Sequence, residues 1–205
     1  MESELQRISS ADAVHVDVMD NHFVEALTFG PQMVKRIVEV SPIPLDVHLM
    51  IENPDKFAPG YAEIGAQSVT FHVEASRDVG ATIRAIQSHG ASAGIALKPG
   101  TKIDSYLDFF DQADMVLIMT VEPGAGGQKF LHDMMPKLDA LREYLDSREL
   151  MPLVQVDGGV TVETLPVAWR HGANTFVAGS SVFGHGVPAE NIDALRNSIT
   201  SGRDS

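Results

Sequence analysis

Short apolar segments alternate with amphipathic segments along the whole chain. The apolar segments are rich in Val, Leu and Ile, as is typical of strands buried in a parallel sheet. The predicted strands are Ala13–Val18, Leu45–Met50, Ser68–Val73, Ala93–Leu97, Met115–Thr120, Leu153–Val156 and Thr175–Ala178. The predicted helices are Glu2–Ile8, Pro31–Val40, Pro54–Gly65, Val79–His89, Ile103–Gln112, Met134–Leu145, Val162–His171 and Ala189–Ser198. This alternation indicates successive βαβ units with parallel strands.

Unusual polar residues stand at the ends of most predicted strands: His15, Asp17, His48, His72, Glu74, Thr120, Asp157 and Ser180. A (β/α)₈ barrel collects its functional groups at the carboxyl ends of its strands, whereas an open doubly wound sheet has one ligand crevice. The wide distribution favours an α/β (TIM) barrel over the doubly wound sheet. Since a closed barrel needs about eight strands, we expect seven strands, about eight helices and a missing first strand. We expect one domain over residues 1–205, with a disordered tail over residues 201–205.

The composition and net charge of the chain limit the classes of molecule that it is expected to bind. A net charge of −13 argues against nucleic acid and anionic membranes as partners. The chain has no Cys, so any metal must be held by His and carboxylate side chains. No signal peptide and no long apolar run is recognisable, from which we expect a cytoplasmic protein. A small phosphorylated molecule remains a suitable partner because backbone N–H groups can bind phosphate.

Four strand-end residues form a candidate metal-binding set: His15, Asp17, His48 and Asp157. His15 and Asp17 are two apart on a strand and therefore project to the same side. From that strand alone, a hydrogen-bonded core pair is slightly favoured over a metal site. Two imidazoles and two carboxylates converging from three strands instead suit one divalent cation such as Zn²⁺, Fe²⁺, Mn²⁺ or Co²⁺.

Three glycine features on successive units predict a phosphate site: the loop Pro123–Gln128, the pair Gly158 and Gly159, and the pair Gly179 and Ser180. Glycine lets the backbone approach an anion closely. Any one of these features alone predicts only a tight turn. Together they favour a phosphate cradle, and the absence of Gly-Lys-Ser/Thr excludes a Walker loop.

The chain resembles the ribulose-phosphate 3-epimerase family. The resemblance is carried by these segments: His15–Phe23, Asp46–Met50, Met119–Phe130, Val156–Gly159 and Val177–Ser180. It implies a ribulose-phosphate-binding (β/α)₈ barrel that interconverts D-ribulose 5-phosphate and D-xylulose 5-phosphate. It also implies that His15, Asp17, His48 and Asp157 bind a divalent metal and that Asp17 and Asp157 are the catalytic acid and base.

The resemblance further implies a substrate and phosphate site formed by His48, Gly124, Ala125, Gly126, Gly127, Asp157, Gly158, Gly159, Gly179 and Ser180. Met19, Met50 and Met119 are implied to surround the reacting carbon. The expected partner is a phosphorylated ketose, and a homo-oligomer is left open.

Two departures from the family pattern affect these expectations. Ala125 stands where the family usually has an aromatic residue, so we expect a looser loop over the substrate. Nothing corresponds to the family's first strand, and we expect exposed edges on the strands at Val14 and Phe176 and impaired activity. One alternative is an allulose-6-phosphate-type 3-epimerase, which would need the same metal and carboxylates. The other follows from the missing strand and is a catalytically impaired barrel that only binds phosphorylated ligands.

Overall fold

A computed structural model describes residues 1–200 of the chain. Within this range there are seven strands, numbered β1 to β7: Val14–Met19, Leu45–Met50, Ser68–His72, Ser92–Leu97, Met115–Met119, Leu153–Asp157 and Thr175–Val177. There are eight α-helices, numbered α1 to α8: Glu2–Arg7, Pro31–Val40, Pro54–Glu63, Val79–Gln87, Met135–Ser147, Leu165–Arg170, Ser180–Phe183 and Pro188–Thr200. The disordered tail expected over residues 201–205 lies outside the described residues.

The strands form one sheet in sequential order, and each strand is parallel to the next. A doubly wound sheet would reverse its strand order at a switch point. No reversal occurs within residues 1–200, and the sheet curls into the open barrel that the sequence predicts. In this range β1 and β7 are the two ends of the sheet and do not pair with each other.

The alternation of side chains along the strands separates two apolar layers. Val16, Val47 and Val156 belong to the main core, which also contains helix residues such as Ile83 and Leu138. A separate small cluster consists of Ala96, Leu117, Met119 and Val121. Since successive strand residues face opposite sides of a sheet, the main core lies between sheet and helices, and the small cluster lies inside the barrel.

One predicted helix is wrong. The segment Ile103–Gln112 forms two separate 3₁₀ turns, Ile103–Ser105 and Leu107–Phe109, instead of an α-helix. Its Asp, Ser, Tyr and Phe residues have only moderate helix propensity. Backbone hydrogen bonds three residues apart, such as Tyr106 N–H to Ile103 O at 2.8 Å, replace the α-helical pattern.

The short helix α7 was not predicted because it follows Gly179 directly and is only one turn long. Helix α6 begins three residues later than predicted. The Thr164 hydroxyl there donates to Gly159 O at 2.8 Å and accepts from Thr161 N–H at 2.8 Å, which forms a turn before the helix. These local bonds fix the segment that follows β6.

Candidate active site

Strands β1, β2 and β6 bring His15, Asp17, His48 and Asp157 together. One ligand atom from each of the four side chains lies within 4.8 Å of the others. Asp17 on β1 is paired in register with His48 on β2, whereas Asp157 is the last residue of β6. The set therefore joins residues that are up to 142 positions apart in sequence (157 − 15).

The candidate metal-ligating atoms of the four side chains face one another. His15 Nε2 lies 3.3 Å from Asp17 Oδ1 and 4.0 Å from Asp157 Oδ2. His48 Nδ1 lies 3.1 Å from Asp17 Oδ1 and 3.6 Å from Asp157 Oδ2. His15 Nε2 is buried and has no hydrogen bond of acceptable geometry. An unpartnered nitrogen facing two carboxylates and a second imidazole fits a transition-metal site.

A carboxylate holds the ring of His15 from the other side. Asp46 Oδ2 lies 2.8 Å from His15 Nδ1 and also accepts a hydrogen bond from Gln155 Nε2 at 2.8 Å. Asp46 Oδ1 accepts from the Ser68 hydroxyl at 2.7 Å. Because an ionised carboxylate only accepts hydrogen bonds, His15 donates through Nδ1 and directs Nε2 at the cluster.

The ring of His48 contacts a second imidazole. His48 Nε2 lies 3.0 Å from His72 Nε2, and His72 Nδ1 lies 3.1 Å from Glu74 Oε2. Glu74 Oε1 accepts from the Lys98 backbone N–H at 2.7 Å and from the Thr101 hydroxyl at 2.5 Å. His48 is thereby held through Nε2, and Nδ1 faces Asp17 and Asp157.

Charge coupling within the cluster is strong. Burial opposes the charged form of His15, but Asp46 and Asp17 raise the pKa of its imidazole well above the ordinary value. Burial would raise the pKa of Asp17, but the adjacent imidazoles of His15 and His48 hold it far below the usual range. Burial also opposes the charged form of His48, but Asp157 and Asp17 raise the pKa of its imidazole. Metal must therefore compete with protons for both imidazoles, because only an unprotonated nitrogen can ligate.

The second pair of groups behaves differently. Burial lowers the pKa of His72 to about 4 and outweighs the hydrogen bond that His72 donates to Glu74, which favours its charged form. Burial would raise the pKa of Glu74, but hydrogen bonds from His72, Thr101 and the Lys98 N–H lower it to about 2. The pair is therefore a neutral imidazole beside an ionised carboxylate.

A cavity opens beside the cluster at the carboxyl ends of the strands. Asp17 and Asp157 line it, together with Met19, Met50 and Met119. The cavity is also lined by Gly124, Ala125, Gly126, Gly127, Gly158, Gly159, Gly179 and Ser180. The structure thus brings the expected glycines, methionines and carboxylates to one cavity. The His48 side chain is fully buried and is not among the lining residues.

The glycines of this cavity serve two different purposes. Gly158 and Gly159 have positive φ angles of 118° and 65°, and a Cβ at either position would collide with Val121 or Phe130. Gly126 and Gly179 have no atom within 4 Å of an added Cβ. The first pair is needed by the backbone, whereas the second leaves open space at the cavity wall where an anion could approach N–H groups.

Sequence reasoning noted Asp46, His72 and Glu74 but assigned them no role in the site. Their signal was present in the chain: His72 and Glu74 repeat the His-x-carboxylate spacing of His15 and Asp17. Gln155 was missed because an amide in a strand has no distinctive pattern. Its partner, Asp46, lies on another strand 109 positions away.

Comparisons with known proteins agree on the family. The ribulose-phosphate 3 epimerase family matches residues 1–183. A ribulose-phosphate 3-epimerase of Mycobacterium bovis (strain ATCC BAA-935 / AF2122/97) is 47% identical over 94% of this chain and 84% of its own length. The ribulose-phosphate 3-epimerase of Bacillus subtilis (strain 168) is 43% identical over 92% of this chain and 87% of its own length.

Solved structures support the fold. The crystal structure of KGPDC from Streptococcus mutans has a TM-score of 0.73 at 17% identity, covering 97% of this chain and 92% of that chain. The crystal structure of 3-hexulose-6-phosphate synthase has a TM-score of 0.70 at 20% identity, covering 97% and 93%. Across residues 1–200, no helix has the length and apolar character that crossing a membrane requires.

Proposed function

Because this chain belongs to the ribulose-phosphate 3-epimerase family, we propose that it interconverts D-ribulose 5-phosphate and D-xylulose 5-phosphate by inverting the configuration at C3. The C3 proton is acidic because C2 is a carbonyl, and its removal gives an enediolate. Return of a proton to the opposite face completes the inversion. The reaction therefore needs one acid–base group on each side of the sugar.

The observation that carries this proposal is the placement of Asp17 and Asp157. They come from β1 and β6, and both line the same cavity beside the two imidazoles. We assign them as the two acid–base groups: one carboxylate takes the C3 proton and the other donates from the opposite face. The roles exchange when the direction of the reaction reverses.

The residues present fit a divalent cation, which His15, Asp17, His48 and Asp157 would hold. When bound, such a cation supplies Lewis-acid stabilisation of the negative charge that develops on the sugar oxygens. Zn²⁺, Fe²⁺, Mn²⁺ and Co²⁺ all suit two imidazoles and two carboxylates, whereas Ca²⁺ and Mg²⁺ favour oxygen ligands.

The glycine-rich segments that line the cavity orient the substrate. We propose that the phosphate binds the segments around Gly126, Gly158 and Gly179, where the chain presents backbone rather than side chains to the cavity. Met19, Met50 and Met119 line the same cavity as these glycines and the two carboxylates. Their thioether side chains exclude water from the carbon that loses its proton, which protects the enediolate from solvent.

Exchange of the C3 proton tests the function directly. Ribulose 5-phosphate incubated with the protein in deuterated water is expected to gain deuterium at C3 and to form xylulose 5-phosphate. Allulose 6-phosphate in a parallel reaction tests the six-carbon alternative. Binding of the pentose phosphate without deuterium incorporation or product would contradict the proposed epimerase activity and favour a ligand-binding barrel.

A further inference from the structure

We propose that Glu74 is a positioning residue of the metal site: acting through His72, it fixes which ring nitrogen of His48 carries the proton. The other nitrogen, His48 Nδ1, is thereby left with the lone pair that a metal needs. This inference rests on the proposed metal site. It adds two residues that do not themselves touch the ligand cluster's carboxylates but determine how one of its imidazoles is presented.

The geometry is a single line of hydrogen bonds. It runs from Glu74 Oε2 to His72 Nδ1 over 3.1 Å, and from His72 Nε2 to His48 Nε2 over 3.0 Å. From there His48 Nδ1 faces Asp17 Oδ1 at 3.1 Å. The side chains of both histidines are fully buried, so water does not offer either ring an alternative partner.

Counting donors along this line leaves one arrangement. The Glu74 carboxylate only accepts, so His72 donates through Nδ1. A neutral His72 then has its lone pair on Nε2, and His48 must donate to it through Nε2. His48 Nδ1 is then free of a proton when the cation is bound, because a neutral imidazole carries only one.

Glu74 is well suited to determine these proton positions, because its second carboxylate oxygen is already held by hydrogen bonds. Oε1 accepts from the Lys98 N–H and from the Thr101 hydroxyl, so the carboxylate cannot turn away from His72. The ring of Phe23 packs against that of His72, with the two centroids 4.8 Å apart. The Glu74 carboxylate and the Phe23 ring therefore hold the His72 ring in place.

The two candidate ligand histidines illustrate the difference that a relay makes. Asp46 contacts His15 Nδ1 directly, and the nitrogen facing the cluster is Nε2. For His48 a second imidazole is interposed before the carboxylate, and the nitrogen facing the cluster is Nδ1. Carboxylates that orient ligand imidazoles typically change metal affinity 10- to 100-fold.

The substitution Glu74→Gln tests the inference. The Gln oxygen is expected to stay with the Lys98 N–H and Thr101 hydroxyl, which turns the amide N–H₂ toward His72 Nδ1. His72 then accepts at Nδ1 and donates from Nε2, so His48 is protonated on Nδ1. We expect the dissociation constant for Zn²⁺, measured by titrating the metal-free full chain, to rise roughly 10- to 100-fold.

Two further variants separate positioning from general damage. Glu63→Gln makes the same chemical change at an exposed position of α3 and is expected to leave Zn²⁺ affinity unchanged. His72→Leu removes the relay. In the His72→Leu background, Glu74→Gln is expected to change the dissociation constant by no more than about twofold, because Glu74 acts on His48 only through His72 and the effects of two coupled residues do not add.

Nitrogen-15 NMR spectra of the Zn²⁺-loaded wild-type chain show directly which ring nitrogen of each histidine carries the proton, without any substitution. We expect the proton of His72 on Nδ1 and that of His48 on Nε2. A His72 proton on Nε2, unchanged Zn²⁺ affinity in Glu74→Gln, or an equal loss with and without His72 would each overturn the inference. Failure of the wild-type chain to bind Zn²⁺ would instead refute the proposed metal site, and the inference with it.

Discussion

Asp17 and Asp157 carry the same chemical group in different surroundings. Asp17 Oδ1 lies within 3.3 Å of both imidazoles, whereas Asp157 Oδ2 lies 3.6 Å from His48 and 4.0 Å from His15. The pKa of Asp17 is held far below its usual range by these imidazoles, despite burial that acts in the other direction. These contacts keep Asp17 in the anionic form, which is the form that can accept a proton.

Neutralising either aspartate is expected to stop catalysis. Asp17→Asn and Asp157→Asn keep the side-chain shape but remove the acid–base group, so we expect C3 deuterium exchange to fall by roughly 10²- to 10⁴-fold. Bound metal is measured in the same preparations to separate loss of the base from loss of a ligand. Asp104→Asn, at an exposed position of a 3₁₀ turn, is the control. An Asn variant that retains most of the exchange rate would refute the two-base assignment.

Glycine at two cavity positions leaves space that a methyl group would fill. Gly126→Ala and Gly179→Ala meet no atom of the protein within 4 Å, so the fold is expected to tolerate both. The methyl group would obstruct phosphate, and loss of one hydrogen bond to a charged group should raise KM roughly tenfold or more with a smaller change in kcat. Gly100→Ala, which is equally unobstructed but outside the cavity, should leave KM unchanged. Wild-type KM in both cavity variants would place the phosphate elsewhere.

At the scale of elements, Asp55 connects the first turn of α3 both to the segment between β3 and α4 and to the start of α4. Its carboxylate accepts from the Ser76 hydroxyl at 2.6 Å, the Thr82 hydroxyl at 2.7 Å and the Arg77 N–H at 3.1 Å. Asp55→Asn turns part of this acceptor into a donor. We expect the free energy of unfolding to fall by roughly 1–3 kcal/mol, with Tm lower by ~2–4 °C per kcal/mol. Asp104→Asn, which should leave Tm unchanged, is the matched control; an equal Tm for Asp55→Asn would contradict the role.

The same contact has a defined pH dependence. Burial would raise the pKa of Asp55, but the hydrogen bonds from Ser76, Thr82 and the loop N–H groups lower it. A lowered pKa means that the contribution is complete above the unfolded-state pKa of about 3.9 and is lost as pH falls through the folded-state value. The stability difference between wild type and Asp55→Asn should therefore be constant near neutral pH and shrink below about pH 4. A difference that grows on acidification would contradict it.

Elements with strong periodicity could be predicted from the sequence, and weak ones could not. The helix Pro31–Val40 and the strand Leu45–Met50 have the predicted bounds, because Pro at the helix start and the alternation of apolar and polar residues along the strand are local signals. The segment Ile103–Gln112 has helical spacing of apolar residues but breaks at Tyr106, whose φ of −128° is not helical. That break depends on the competition between weak local preferences, which a pattern of apolar positions does not contain.

At the scale of the whole molecule, the site was predictable where strand ends carry paired motifs and unpredictable where contacts cross the barrel. His15 with Asp17, and Asp157 with its glycines, are readable because neighbours in sequence lie at one strand end. The bond from Gln155 to Asp46 joins β6 to β2, and no local pattern encodes it. Which ring nitrogen of His48 carries the proton likewise depends on Glu74, which is 26 positions away (74 − 48).

The sheet of residues 1–200 is open between β1 and β7, and the candidate ligands join strands from both halves of it. His15, Asp17 and His48 lie on β1 and β2, whereas Asp157 lies on β6, next to the β7 edge. A cation bound there would connect the two halves only in the folded state. Ligand binding of this kind stabilises the native state in proportion to the logarithm of ligand concentration.

Divalent metal should therefore raise the thermal stability of the whole chain. With free Zn²⁺ at about 100 times its dissociation constant, the gain is ~2.7 kcal/mol. For a chain of this size that corresponds to a Tm increase of roughly 5–10 °C. His48→Ala should abolish the Tm increase and lose the bound ion, of which the wild-type chain should hold about one. His89 is an exposed histidine outside the cluster, and His89→Ala should retain both the increase and the ion. Scanning calorimetry with and without chelator measures the shift. An equal Tm in both conditions for the wild-type chain would show that no cation connects β1 and β2 to β6.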